Sequence, residues 1–175
     1  MKRLLFLLWI TPAAAGSVYI DQVGNGNNIF VEQVASGNLQ AIILNQGDNN
    51  NLTIVQEGSG DHAAFIGTPP TGVNIDGTIA TNTAAANNNN NTLTIIQSGS
   101  GNHTAAINLD STTTNSNNGA AIHQSGDADK SFVLNLSGSG ITAKVLQDNP
   151  TVPDSGSMSI QCLTPPCSGY TYTKH

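Results

Sequence analysis

The residues of this sequence that could do chemistry are four histidines, two cysteines and a scatter of serines and aspartates. The nearest approach to a nucleophilic site is the run Ser59-Gly60-Asp61-His62. Adjacent side chains of a strand point to opposite faces, so these groups would not converge, and the run lacks the G-x-S-x-G elbow of hydrolases. The repeat described below predicts that His62, His103 and His123 all face outward as surface side chains. We therefore predict no enzyme activity and no catalytic residue.

Metal binding is not predicted either. Asp48, Asp127 and Asp129 lie near glycine, as in calcium-binding β-rolls, but the G-G-x-G-x-D nonapeptide of those repeats is missing. Cys162 and Cys167 form the sequence C-L-T-P-P-C, and a zinc site there would need two more ligands where only His175 is close. In an exported protein, this pair is instead a candidate for a local disulfide. We expect no metal and no cofactor.

The composition is unusual for a globular core. Only 9% of the 175 residues are charged and 5% are aromatic, whereas Asn, Gln and Gly are abundant at 22, 9 and 18 residues. Such a chain would be disordered if its 38% hydrophobic residues did not fall in short alternating runs. Order must therefore come from a repeating arrangement that pairs backbone and amide groups.

The N-terminus has the three parts of a secretory signal peptide. Lys2 and Arg3 supply the charge, residues 4–10 an apolar run too short to span a bilayer as a helix, and residues 13–15 a small-residue cleavage site. We predict that residues 1–15 are removed on secretion and that the mature chain has no membrane span. Three lysines then face eleven acidic residues, a balance that argues against nucleic acid as a partner.

One repeated spacing organises most of the remaining chain. The segment L-T-I-V-Q-E-G-S-G-D-H from Leu52 recurs as L-T-I-I-Q-S-G-S-G-N-H from Leu93. Generalising this match gives a seven-residue arm with apolar residues at its third and fifth places and an amide at its seventh. Period two predicts strands, with these odd places facing inward. The inward places of the ten arms are predicted to be Gly16-Val18-Ile20-Gln22, Asn27-Ile29-Val31-Gln33, Gln40-Ile42-Leu44-Gln46, Asn50-Leu52-Ile54-Gln56, Asp61-Ala63-Phe65-Gly67, Asn91-Leu93-Ile95-Gln97, Asn102-Thr104-Ala106-Asn108, Asn118-Ala120-Ile122-Gln124, Asp129-Ser131-Val133-Asn135 and Ile141-Ala143-Val145-Gln147.

These arms predict an all-β fold, a parallel β-solenoid with two strands per turn. A solenoid explains why every arm carries the same residue type at the same place, because each arm stacks on its equivalent and the amides form a ladder. The solenoid is predicted over residues 16–147, with loop insertions near 68–90 and 109–117 and a doubtful strand around 73–79. Residues 148–175 are predicted to be a C-terminal tail, with one further strand around 158–161. The twelve strands would make about six rungs.

The spacing Q-x4-N-x5-Q resembles the curlin repeat of bacterial curli fibres, S-x5-Q-x-G-x-G-N-x-A-x3-Q. The resemblance implies export to the periplasm, passage through an outer-membrane secretion channel, and assembly into extracellular fibres on the cell surface. It implies as partners copies of the chain itself and a cognate curli subunit or nucleator. The amides that it carries over as a ladder for self-assembly are Gln22, Asn27, Gln33, Gln46, Gln56, Gln97, Asn102 and Gln124.

The expected function is therefore that of a secreted structural subunit that forms amyloid-type fibres for adhesion and biofilm matrix. The alternative is a monomeric β-solenoid adhesin or ice-binding-type surface protein. That alternative requires a flat, regular outward face and capped ends, whereas the predicted outward positions are mixed, as Glu32, Thr53 and His123 illustrate.

Overall fold

The computed structural model describes residues 6–10, 16–68 and 88–175. These three ranges form β-strands and turns, with no helix among them that is long and apolar enough to cross a membrane. The strands are β1 (Phe6–Ile10), β2 (Gly16–Val23), β3 (Asn28–Ala35), β4 (Leu39–Gln46), β5 (Asn51–Gly58), β6 (His62–Gly67), β7 (Asn88–Asn89), β8 (Thr92–Gly99), β9 (His103–Leu109), β10 (Asn115–Ser116), β11 (Gly119–Ser125), β12 (Lys130–Gly138), β13 (Ile141–Gln147), β14 (Asp154–Cys162) and β15 (Cys167–Lys174).

The strands stack into two parallel sheets that face each other. Sheet 1 has the order β1-β3-β5-β8-β11-β13-β15 and sheet 2 the order β14-β12-β9-β6-β4-β2. From β2 onward the chain alternates between the sheets, so that each pair of long strands makes one turn and β14 with β15 makes the sixth. The all-β, two-strands-per-turn β-solenoid predicted from the sequence is confirmed.

Equivalent residues lie over one another in sheet 1. Leu52 aligns with Leu93, Ile54 with Ile95 and Gln56 with Gln97, and the neighbouring strands continue these rows. The aliphatic rows are almost fully buried and pack against the inward rows of sheet 2 in one core that spans the solenoid. Period two therefore places Leu52, Ile54 and Gln56 on the inner face and leaves Thr53 and Val55 partly exposed on the outer one.

The inward face of sheet 2 differs from the prediction. Ala41 and Ile43 of β4 point into the central core, whereas Ile42 and Leu44, predicted inward, belong to a second buried cluster on the opposite face with Phe65. The predicted parity is wrong in the same way for β6, β9 and β12. Both faces of this sheet carry apolar residues, so alternation alone does not reveal which face is the inner one.

The corner between β2 and β3, and its equivalents in later turns, contains residues with positive φ at equivalent places. Gly26, Asn49, Asn90, Asn117 and Gly140 have φ between 54° and 71°. Only glycine and a few polar residues, Asn above all, adopt this left-handed conformation easily. Backbone hydrogen bonds connect the corners from turn to turn, at 2.8 Å for Asn49 N–H to Asn25 O and 2.9 Å for Asn90 N–H to Asp48 O.

The two predicted insertions rejoin the solenoid at this corner. Residues 69–87, including the strand candidate around 73–79, lie outside the described residues. Thr68 and Asn88 border this segment, and Asn88 Nδ2 donates to Thr68 Oγ1 at 3.0 Å. The second insertion leaves after Leu109, and its last residues form β10, which pairs with β7. Residues 88–90 and 115–117 are thus part of the stack and not of the loops.

The two ends also differ from the prediction. Residues 148–175 are not a tail but continue the solenoid, because β14 and β15 extend the two sheets by one more turn. Cys162 and Cys167 are joined by a disulfide across the link between β14 and β15.

At the other end, Phe6–Ile10 of the predicted signal peptide pairs in parallel with β3, and Ile10 aligns with Gln33. The other residues of the predicted signal peptide lie outside the described part.

Candidate self-assembly ladder

A row of glutamines runs along the interior of sheet 1, one from each of five turns. Each side chain donates from Nε2 to Oε1 of the next, at 2.8 Å from Gln33 to Gln56 and 2.9 Å from Gln56 to Gln97. The row continues at 3.0 Å to Gln124 and at 2.9 Å to Gln147. The strand register places them there, because each is the last inward residue of its strand. These five residues form a continuous hydrogen-bonded ladder, which we call the glutamine ladder.

The second hydrogen of each Nε2 reaches across to sheet 2. Gln56 donates to the backbone oxygen of Gln40 at 3.0 Å, and Gln97 donates to that of Ala63 at 3.1 Å. Gln124 repeats the pattern with Thr104 O at 3.0 Å. Gln56, Gln97 and Gln124 are fully buried, and these bonds satisfy both hydrogens of each amide. The ladder therefore ties successive turns together and also ties the two sheets to each other.

The glutamine ladder has a direction. Every amide donates toward the C-terminal end, so the two ends of the ladder differ chemically. At the N-terminal end, Gln33 is partly buried, and its Oε1 accepts no hydrogen bond from any residue that the structure describes. At the C-terminal end, Gln147 Nε2 donates to Asp154 Oδ2 at 2.6 Å.

Three side chains of the sixth turn form a charged cluster beside Gln147. Lys174 Nζ lies 2.9 Å from Asp154 Oδ1, and the Tyr172 hydroxyl lies 3.2 Å from the same oxygen. Burial alone would raise the pKa of Asp154, but hydrogen bonds from Lys174 and Gln147 bring that pKa below its ordinary value. The same bond to Asp154 raises the pKa of Lys174. Both groups are therefore charged at neutral pH. We call Asp154 and Lys174 the terminal ion pair.

Asparagines form a second ladder at the corner before sheet 1. Asn50 Nδ2 donates to Asn27 Oδ1 at 3.0 Å, and Asn91 Nδ2 donates to Asn50 Oδ1 at 3.1 Å. Asn118 continues the row by donating its backbone N–H to Asn91 Oδ1 at 3.0 Å. The ladder stops at Ile141, whose N–H binds Asn118 Oδ1. Here the side-chain donors point toward the N-terminal end, opposite to the glutamine ladder.

Five of the eight amides predicted for self-assembly lie in these ladders, namely Asn27, Gln33, Gln56, Gln97 and Gln124. The other three do not. Gln22 donates to Gly24 O in its own turn, and Gln46 lies on the outer face of β4, where Asn45 takes the inward place. Asn102 is exposed at the opposite corner, where its Oδ1 accepts the backbone N–H of Asp61 at 3.1 Å.

His62 and His103 lie inside the solenoid, contrary to the predicted outward placement. Their rings stack at 4.9 Å with 6° between the planes, and both residues are at most 1% exposed. Each Nε2 lies about 3 Å from a backbone oxygen, that of Glu57 or Ser98, whereas neither Nδ1 has a hydrogen-bond partner among the described residues. Burial lowers the pKa of both histidines, so they are neutral at neutral pH.

The sequence analysis does not predict the terminal ion pair, because the last arm of the amide repeat ends at Gln147. The spacing held a signal: Lys174 follows Gln147 by the same interval, 27 residues, that separates Gln97 from Gln124. No such signal predicts Asp154, because the residues that align with it in the preceding strands of sheet 2 are Lys130, His103, His62 and Leu39. In the part of the chain that the structure describes, no three His, Cys, Asp or Glu side chains group as metal ligands.

Comparisons of the chain with protein-family models, with curated proteins and with solved structures found no match in any of the three. The features of the chain that bear on its function are therefore the two ladders and the two ends of the solenoid.

Proposed function

We propose that the chain is a secreted structural subunit that assembles into extracellular amyloid-type fibres of the curli kind, for adhesion and biofilm matrix. The observation that carries the proposal is the glutamine ladder. It runs through five turns in one direction and ends at Gln33, whose Oε1 accepts no hydrogen bond from the part of the chain that the structure describes. A ladder of this type lengthens by adding identical rungs, and this is the chemistry by which cross-β fibres grow.

The sheet edges favour the same function. Among the described strands, β2 has a neighbour only on the side of β4 and β14 only on the side of β12, so each leaves one edge free for pairing. Neither strand contains a proline or a lysine, the residues that normally protect an edge from a further strand. A protein that stays monomeric would be expected to block such edges.

Export and partners belong to the same proposal. Residues 1–15 would direct secretion, and the unfolded chain would cross the outer membrane through a dedicated channel. At the cell surface it would add to copies of itself or to a cognate curli subunit or nucleator. The acidic balance of the chain would keep the subunits apart in solution until one meets a growing end.

Assembly kinetics test the proposal directly. Purified chain at micromolar concentration should show a lag and then a thioflavin-positive rise, and preformed seeds should abolish the lag. The fibres should give a meridional reflection near about 4.7 Å. A Gln97→Leu variant should elongate native seeds poorly, because its ladder is interrupted. Gln46→Leu, on the outer face of the interior strand β4, should elongate them normally. A chain that stays monomeric for days would instead support the solenoid adhesin.

A further inference from the structure

The two ends of the glutamine ladder are chemically complementary. Gln33 presents an acceptor at the N-terminal end. At the C-terminal end, Lys174 stands in the place that a sixth ladder residue would take, because it aligns with Gln147 in the register of sheet 1. Its side chain is 50% exposed, and an ammonium group has three donors. One of them binds Asp154, which leaves two for a further acceptor.

We propose that successive copies join head to tail, with Lys174 of one copy donating to Gln33 Oε1 of the next. This inference rests on the proposed function and specifies its contact surface. Lys174 thereby carries the ladder across the junction in place of an amide. Asp154 stays bound to Lys174 and Gln147, so the buried charge remains paired at the junction.

The rest of the N-terminal surface fits this junction. In sheet 2, Gly16 holds the place that Asp154 holds in the sixth turn, and it brings no side chain over that carboxylate. A Cβ at Gly16 would lie only 2.7 Å from Gln33 Oε1, so the glycine also keeps this acceptor accessible. The end that must accept a charged group is thus free of bulk.

The edge of β3 already pairs with a parallel strand, β1, of the same chain. Phe6–Ile10 pairs with β3 over five residues and places Ile10 against Gln33. A second copy could add there in the same register only after this segment has left. The predicted removal of residues 1–15 on secretion would therefore free the edge and confine assembly to the exported chain.

Other arrangements of two copies are less favourable. Joining two N-terminal ends would bring two Gln33 acceptors together, and joining two C-terminal ends would bring two lysines together. Either leaves acceptors unpaired or opposes like charges, and like charges that face each other disfavour an interface. Head-to-tail addition pairs donor with acceptor and gives the fibre one direction.

Charge changes at Gln33 test the junction. The complete sequence is expressed and exported, and mass spectrometry of the recovered protein establishes its N-terminus. In Gln33→Lys an ammonium would oppose Lys174, so elongation of native seeds should slow by at least about tenfold. In Gln33→Glu a carboxylate would face Lys174, and elongation should be faster than for the unmodified chain. A folding defect cannot mimic that acceleration.

Two further variants complete the test. Thr53→Lys adds the same charge on the outer face of β5, a strand that is paired on both sides, and should elongate normally. Lys174→Gln should elongate nearly normally by itself, and fibres of this variant should accept Gln33→Lys, because the repelling ammonium is gone. Equal rates for Gln33→Lys and Thr53→Lys, or a block that Lys174→Gln does not relieve, would overturn the junction. If the unmodified chain forms no fibre, the proposed function itself fails.

Discussion

The buried amides of sheet 1 each perform two tasks. Gln97, for example, bonds to the glutamine of the next turn and to a backbone oxygen of the opposite sheet. An aliphatic side chain could fill the same space but would leave its neighbours without partners. This explains why a core so poor in aromatic residues can be ordered, since directional bonds supplement a thin layer of aliphatic contacts.

Replacing one ladder residue should therefore cost more than its own bonds. Gln97→Leu would leave unpaired an N–H of Gln56, Oε1 of Gln124 and the backbone oxygen of Ala63. Because each stranded buried group costs about 1–3 kcal/mol, the free energy of unfolding should fall by at least about 2 kcal/mol. Chemical denaturation of freshly prepared monomer measures this loss. Gln161→Leu, at an exposed site, should change it by less than about 0.5 kcal/mol, and equal losses would contradict the ladder's role.

The stacked histidines should make the fold sensitive to mild acid. Burial lowers the pKa of His62 and His103, and Lys130 lowers that of His103 further, while Asp61 acts in the opposite direction on His62. As the pH falls through about 6.5, the unfolded chain takes up protons before the folded one does. The stability contributed by the neutral pair is therefore present above that pH and lost below it. Unfolding free energies measured between about pH 7.5 and pH 5 should show this decline.

A double variant supplies the control. With His62→Gln and His103→Gln, the decline should become shallower, whatever the absolute stability of the variant. His123→Gln, on the outer face of β11, should keep the decline of the unmodified chain. A double variant with an unchanged pH dependence would show that other groups cause the acid sensitivity.

At the scale of elements, the sequence predicted sheet 1 better than sheet 2. In β5 and β8 the outward residues are Thr53, Val55, Thr94 and Ile96, which are partly exposed and include apolar side chains. The glutamine that recurs in these strands therefore shows which alternate residues face inward. In β4 the run from Ala41 to Leu44 is apolar on both faces, and no recurring amide identifies the inner one. Residue types alone cannot show which face of such a strand points inward, because that depends on what covers its outer side.

The sixth turn could not be inferred from the repeat for a different reason. Its strands keep the aliphatic pattern only in part: Met158 and Ile160 of β14 still pack in the core. Gly156 stands where a further core side chain would be, and the Phe132 ring fills that space. Tyr172 packs on the same ring at 4.8 Å. In sheet 1, Tyr172 and Lys174 thus stand in the places of Val145 and Gln147, so the residue types of the repeat end at Gln147 although the backbone continues.

Because the sixth turn is held by an aromatic contact and an ion pair, the disulfide should stabilise this turn in particular. Cys162 and Cys167 close a short loop, for which chain-entropy estimates give about 2 kcal/mol. In Cys162→Ser with Cys167→Ser, backbone amides of β14 and β15 should exchange hydrogen faster, while those of β11 should not change. Hydrogen-exchange mass spectrometry separates the two regions. Uniformly faster exchange would mean that the solenoid unfolds as one unit and not from this end.

For the whole molecule, the six turns fix the geometry that a fibre must have if copies join end to end. Each turn advances the axis by one inter-strand spacing, so one subunit contributes about 29 Å. Fibre images should then show this axial repeat, and the density of Lys174 should lie next to that of Gln33 once per repeat. Copies that associate side by side would keep the inter-strand reflection but lose the subunit repeat. Cryo-electron microscopy of the fibres distinguishes these cases, and side-by-side packing would exclude the head-to-tail junction while leaving the solenoid itself intact.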